Sequence, residues 1–101
     1  MRHFLLCYDF ARDYETRRVD YREQHLARAW RASERGELIL AGALTDPADT
    51  GVLLFKTETT VPVEDFARKD PYVVNGLVVG WHVREWVTTV GKDAASPIGK
   101  P

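Results

Sequence analysis

The chain has 101 residues and a formal net charge of −1. That length suits one domain with a modest core, for which a partner subunit is a reasonable companion, and the charge argues against nucleic acid as an obligate partner. No apolar run approaches the ~20 residues of a membrane span, the opening stretch turns acidic at Asp9 too soon for a signal peptide, and the single cysteine, Cys7, cannot form an internal disulfide; together these favour the cytoplasm.

Phe4 to Tyr8 reads as a first strand, and Asp9 to Asp13 as a polar connection. Asp13 is placed as the N-cap of one long helix running to about Arg35. Its apolar stripe uses Val19, Leu26, Ala29, Trp30 and the small Ser33, at the spacing of a helical face. Gly36 is the natural stop. Leu38 to Leu44 forms a second strand, Thr45 to Gly51 is dense in turn residues, and Val52 to Lys56 forms a third, so these two make a hairpin. Gly42 inside a strand suggests a bulge or a close approach by another group. Thr59-Thr60-Val61-Pro62 opens a second helix, with Glu64 and Asp65 in its first turn, where the helix dipole favours them. Val63, Phe66 and Ala67 face its core side.

Asp70-Pro71 then interrupts. Proline biases the preceding residue away from the α region, so the helix ends near Lys69. Asp70 caps a short new turn, Pro71 takes its first position, and Asn75-Gly76 closes it. A long strand follows from Leu77 to about Val90. The domain thus spans residues 1–90, and Gly91 to Pro101 reads as a loose tail.

The order β-α-β-β-α-β is that of the α+β ferredoxin-like fold, an antiparallel four-stranded sheet with two helices on one face. A sheet covered on one face should alternate apolar and polar residues. Here Phe4-Leu5-Leu6-Cys7, Leu38-Ile39-Leu40, Val52-Leu53-Leu54-Phe55 and Leu77-Val78-Val79 are apolar at both parities. The open face therefore needs a cover, and a second copy of the chain is the available one, giving a homodimer packed sheet against sheet.

With Leu26 at the stripe's centre and ~100° per residue, Arg22 falls within the stripe and His25 at its edge on the same side. Arginine keeps its charge when buried, so Arg22 needs a carboxylate or a bound anion; otherwise it is a long side chain reaching water. His25 is either a helix-flank histidine or one with a ring nitrogen anchored and the other free. Asp70 is at least a cap, but a carboxylate has acceptor sites to spare for orienting a histidine. Tyr8 and Tyr72 can reach a cleft or simply pack. Trp81 and Trp86 read as core or interface, and Cys7 as a small buried hydrophobe. His3, His25 and His82 show no metal-ligand spacing, so no metal site is expected. No phosphate-cradling loop and no Ser-His-Asp arrangement is visible.

Three segments carry a resemblance: Arg22-x-x-His25-Leu26-Ala27-Arg28, Gly36-Glu37-Leu38-Ile39-Leu40-Ala41-Gly42, and Asp70-Pro71-Tyr72-Val73-x-x-Gly76. In this order and at this separation they resemble the YciI-like (YCII-related) proteins, from the first strand through about Trp86. The resemblance implies a dimeric α+β barrel and a His25–Asp70 dyad at an active site. It also implies relatives that eliminate chloride from a chlorinated hydroxyquinone, within a superfamily that includes muconolactone isomerases. The chain departs from the family pattern at Ala43, where many members have proline, and in its short hairpin loop, both of which bear on pocket shape.

With such a dyad, histidine exchanges a proton near neutral pH while the carboxylate fixes its tautomer. No nucleophile stands beside it and no cofactor is expected. The chemistry that suits the site is elimination, dehydrochlorination or isomerisation of a small hydroxylated aromatic or lactone-like metabolite. Arg22, Tyr72 and Gly42 are the expected substrate-binding residues. Two other classes compete: a non-catalytic module that binds a small anion or aromatic, and an interaction domain in which the dyad only braces the turn.

Overall fold

Strand β1 (Arg2–Phe10) organises the sheet in the computed structural model, which describes residues 1–101. The remaining elements are α1 (Tyr14–Arg17), a 3₁₀ turn (Arg18–Asp20), α2 (Arg22–Glu34), β2 (Leu38–Ala43), β3 (Thr50–Thr57), α3 (Val61–Lys69), α4 (Pro71–Val74) and β4 (Val78–Trp86). The four strands run in the order β2-β3-β1-β4, and every neighbouring pair is antiparallel. This is the ferredoxin-like arrangement expected from the element order. No helix is long and apolar enough to cross a membrane.

The two faces of the sheet differ. Phe4 pairs with Phe55, Leu6 with Leu53 and Tyr8 with Gly51 across β1 and β3, and these side chains sit under the helices, buried. The opposite parity places Leu5, Cys7, Val52 and Leu54 on the other face, with Leu40 of β2 beside Leu54. That face is partly open: Leu40 is 71% exposed and Trp86 48%. The sheet thus carries apolar side chains on both faces, as the sequence indicated.

Five local features differ from expectation. The long helix is broken, because Tyr21 leaves helical geometry at φ −120° and ψ −6°. Asp13 does not cap; it forms an i,i+4 ion pair with Arg17 at 3.8 Å instead. The packed face of α2 is rotated by about one residue, ~100°. Ala29 and Ala32 are buried, while Trp30 is 64% exposed and Val19 and Leu26 are also exposed. Small side chains let the helix lie close to the sheet, and the large ones then fall on its flank. The irregularity in β2 lies between Leu38 and Leu40, so Ile39 is the bulged residue and Gly42 pairs regularly with Val52. Lastly, β4 stops at Trp86, and the residues after it are not loose. Ser96 N–H donates to Thr88 O at 3.0 Å, Ala95 N–H to Thr88 Oγ1 at 2.8 Å, and the same hydroxyl meets buried His3 Nδ1 at 2.6 Å.

Helix termination follows the sequence. Gly36 adopts φ +81°, Glu37 N–H donates to Ala32 O at 3.1 Å and Gly36 N–H to Ser33 O at 2.9 Å. Those are the two bonds of a Schellman ending, which a residue with a β-carbon closes less readily. On α3, Val63, Phe66 and Ala67 are the buried residues. Arg28 of α2 donates to Phe66 O at 3.0 Å, tying the two long helices together.

Candidate active site

The Asp70 turn is the fixed point of the site. Asp70 has extended backbone (φ −67°, ψ 127°), and Pro71 follows as the first residue of α4. Asp70 Oδ1 accepts the Tyr72 N–H at 3.0 Å, a side-chain N-cap. At the other end Gly76 adopts φ +78° and Leu77 N–H donates to Tyr72 O at 2.9 Å. A four-residue helix closed at both ends leaves its capping carboxylate little freedom.

Asp70 is fully buried, and two more donors converge on it. Tyr8 donates its hydroxyl to Oδ2 at 2.7 Å from β1. His25 of α2 lies with Nδ1 at 2.9 Å from both oxygens. A carboxylate only accepts, so Nδ1 carries the hydrogen, and in the neutral imidazole Nε2 holds the lone pair. Nε2 makes no hydrogen bond within the protein, and the His25 side chain keeps 15% exposure. Tyr72 stacks flat on the imidazole, with ring centres 3.9 Å apart and planes 9° apart. The ring is therefore fixed by a bond at one edge and a ring on its face.

Burial pushes the Tyr8 phenol up, and the adjacent Asp70 carboxylate adds to the rise. Tyr72 is pushed up to about 12, first by burial and then by Tyr14, against the lowering influence of Arg22 and Arg18. Both phenols are neutral hydrogen-bond donors at physiological pH.

His25 and Tyr72 line a cavity of about 280 Å³ between α2, the Asp70 turn and the β2–β3 hairpin. One wall is aromatic. Phe10 and Tyr14 stack 3.7 Å apart with planes at 5°, and Tyr14 meets Tyr72 edge-on at 5.7 Å. The hairpin side is built from small residues, Ala41, Gly42, Ala43 and Gly51. Gly51 fits closely there: a β-carbon would lie 2.8 Å from Phe10 Cζ and 3.3 Å from Tyr8 Cβ, so those side chains would have to shift. At Gly42 a β-carbon would meet nothing within 4 Å, so that glycine keeps space open rather than filling a tight contact.

The structure thus brings His25, Asp70, Tyr72, Arg22 and Gly42 to one place, with Arg22 exposed on the cavity's rim. It adds four residues that sequence reasoning did not assign to the site: Tyr8 as a second partner of Asp70, and Phe10, Tyr14 and Arg18 in the cavity wall. Strand parity was a usable signal for the first, since Phe4, Leu6, Tyr8 and Phe10 alternate. Phe10 shares that parity, and helical spacing was a signal for Tyr14 and Arg18, since Tyr14, Arg18, Arg22, His25 and Ala29 follow one another at three or four residues. No group of three or more His, Cys, Asp or Glu side chains converges as a metal site. His3 is buried against the tail and His82 is exposed on β4.

The family model of the YCII-related domain matches residues 1–87. The chain belongs to the YCII-related family. No curated protein matches it. Among solved structures, this YCII-related chain is similar to the 5-chloro-2-hydroxyhydroquinone dehydrochlorinase TftG from Burkholderia phenoliruptrix AC1100, in complex with 2,5-dihydroxybenzoquinone. The TM-score is 0.70 at 19% sequence identity, over 85% of this chain and 94% of that one. The likeness extends to the fold, and at that identity to the fold alone.

Proposed function

We propose that this YCII-related protein is a cofactor-free acid/base enzyme acting on a small hydroxylated aromatic or lactone-like substrate. The observation that carries the reading is the state of His25: one ring nitrogen is bonded to a fully buried carboxylate, while the other has no protein partner and the ring lines a cavity. A histidine held in that way is arranged to move a proton.

The cycle uses the chain's own groups. Nε2 takes a proton from a substrate C–H or O–H, and Asp70 offsets the imidazolium charge without leaving its place in the turn. In an elimination, the electron pair of the broken bond forms a new double bond while the leaving group departs with its own pair. In an isomerisation, the same nitrogen returns the proton to a different atom. Tyr72 holds the plane of the imidazole, and Tyr8 holds Asp70 Oδ2, so the lone pair stays directed at the cavity. A cavity of about 150 Å³ is enough for benzene, so about 280 Å³ admits a single substituted ring. The 5-chloro-2-hydroxyhydroquinone dehydrochlorinase of the same fold supports that substrate size and class by analogy of fold.

The apolar open face supports a homodimer, in which a second copy covers Leu5, Leu40, Leu54 and Trp86. Contiguous apolar surface of that kind is unusual on a monomer.

The test is a screen of halogenated and hydroxylated single-ring aromatics and lactones, with proton release and product followed for wild type and His25→Ala. Turnover that disappears in His25→Ala, while the ligand still binds, is the expected result. A ligand held by the wild type and recovered unchanged identifies a binding module instead.

A further inference from the structure

The arginines around the first two helices divide into two kinds. Arg17 donates to Asn75 O at 2.6 Å, which ties α1 to the closing turn of α4, and Arg28 donates to Phe66 O. Those guanidiniums are engaged in holding the fold. Arg18 and Arg22 make no such tie to another element: Arg18 meets the Tyr14 side chain, with the Glu15 charge nearby, and Arg22 is exposed. Both line the cavity, and neither lies within 4.0 Å of a carboxylate. Arg18 lies over the Tyr14 ring, 5.6 Å from its centre, which fixes it beside the aromatic wall.

The lining of the cavity contains no Asp or Glu, and Asp70 behind it is already engaged by Tyr8, His25 and the Tyr72 N–H. Two guanidiniums therefore face a space with no acidic residue on its wall. The chain as a whole has a net charge of −1, so this positive field is local to the site and is not a property of the surface at large. Guanidinium also presents a planar fork of donors that matches a carboxylate.

We infer that Arg18 and Arg22 form an anion-recognition pair, and that the substrate is a single-ring acid whose carboxylate binds between them while its hydroxylated ring lies between the Phe10–Tyr14 stack and His25. The inference rests on the proposed function for the role of the cavity, and it narrows the substrate class from a neutral hydroxylated aromatic to an aromatic acid. Arg18 is a specificity-determining residue in this arrangement. It does not touch the reacting proton; it selects which rings are presented to His25.

The test compares two probes of nearly the same shape, 2,5-dihydroxybenzoate and its neutral analogue 2,5-dihydroxybenzamide, by calorimetric titration at neutral pH and low salt. The wild type is expected to prefer the acid by about tenfold or more, the scale of a charge-assisted hydrogen bond. The preference should shrink in Arg18→Gln and in Arg22→Gln and vanish in the double variant, and it should be weaker in high salt. Arg31→Gln, an exposed arginine outside the cavity, should retain it and controls for general charge. Circular dichroism of each variant checks the fold. A wild type that binds both probes equally, or neither, overturns the inference, as does a preference that survives the double variant. His25→Ala separates the two readings. If it retains the acid preference but turnover is unaffected, the anion pair stands and the acid/base role falls. If it abolishes turnover and the wild type shows no acid preference, the acid/base role stands and the anion pair falls.

Discussion

Asp70→Ala gives the sharpest test of how the site is held. Three donors lose their acceptor at once: the Tyr8 hydroxyl, the Tyr72 N–H and His25 Nδ1. Tyr8 is 1% exposed, so water cannot readily replace the carboxylate, and an orphaned buried hydroxyl costs ~1–3 kcal/mol. Loss of the N-cap costs ~1 kcal/mol more. His25 is close enough to solvent to find water, and relief of the buried charge returns part of the loss. The net expectation is a destabilisation of ~2–3 kcal/mol, against a total of ~5–15 kcal/mol for a domain. Asp70→Asn keeps an oxygen for the cap and a polar group for Tyr8, so its cost should be ~1 kcal/mol lower than that of alanine. The assay is urea unfolding followed by circular dichroism at one fixed protein concentration, because a dimer makes stability concentration-dependent. Adding Tyr8→Phe to Asp70→Ala should recover part of the loss, since no orphan hydroxyl is left. An Asp70→Ala protein as stable as wild type, or a Tyr8→Phe addition that simply sums with it, would refute the reasoning.

Gly51→Ala should destabilise by ~1–3 kcal/mol, because its β-carbon is driven into Phe10 and Tyr8, whereas Gly42→Ala should fold normally; thermal melts of the pair check this. Leu54→Glu on the open face should shift the protein from dimer to monomer in light scattering, and a wild type already monomeric at micromolar concentration removes the basis of that expectation. Alkaline stability follows from the raised phenols. Tyr8 and Tyr72 hold their protons in the folded state above the ordinary value near 10, so the unfolded chain loses them first. Stability should be intact below pH ~10 and fall as pH climbs towards the Tyr72 value of about 12, with a shallower fall in Tyr8→Phe and Tyr72→Phe by equilibrium unfolding.

The element order was legible because punctuation and periodicity agreed. Gly36, Pro62, Pro71 and Gly76 each stand where a helix starts or stops, and the strands between them are β-rich runs. Asp70 was legible as a cap for the same reason, since a cap is a local device encoded in adjacent residues. The break at Tyr21 was not, because Arg17 to Arg22 contains neither glycine nor proline and the helical spacing runs on through it. The tail was misread because the hydroxyl of Thr88 that ties it to His3 is tertiary, made across 85 residues.

The rotated face of α2 has the larger consequence. Ranking residues by hydrophobicity puts Leu26 and Trp30 inside, yet contact with a sheet rewards small side chains that permit close approach. Ala29 and Ala32 win that position. With them inward, the spacing of the helix carries His25 inward too, onto Asp70, and leaves Arg22 at the cavity's rim. Had Leu26 been central, His25 would have sat a quarter-turn away, at the edge of the packed face. The same alanines that bring helix and sheet together are thus what place the imidazole in reach of the buried carboxylate, so replacing Ala29 or Ala32 with leucine should lift α2 and lengthen the His25–Asp70 contact. The measurable sign is the loss of the slowly exchanging Nδ1 proton of His25 in NMR while the sheet amides stay protected. Retention of that proton in Ala32→Leu would mean that the Asp70 turn moves with the helix, and that the two are coupled more tightly than the alanine packing alone requires.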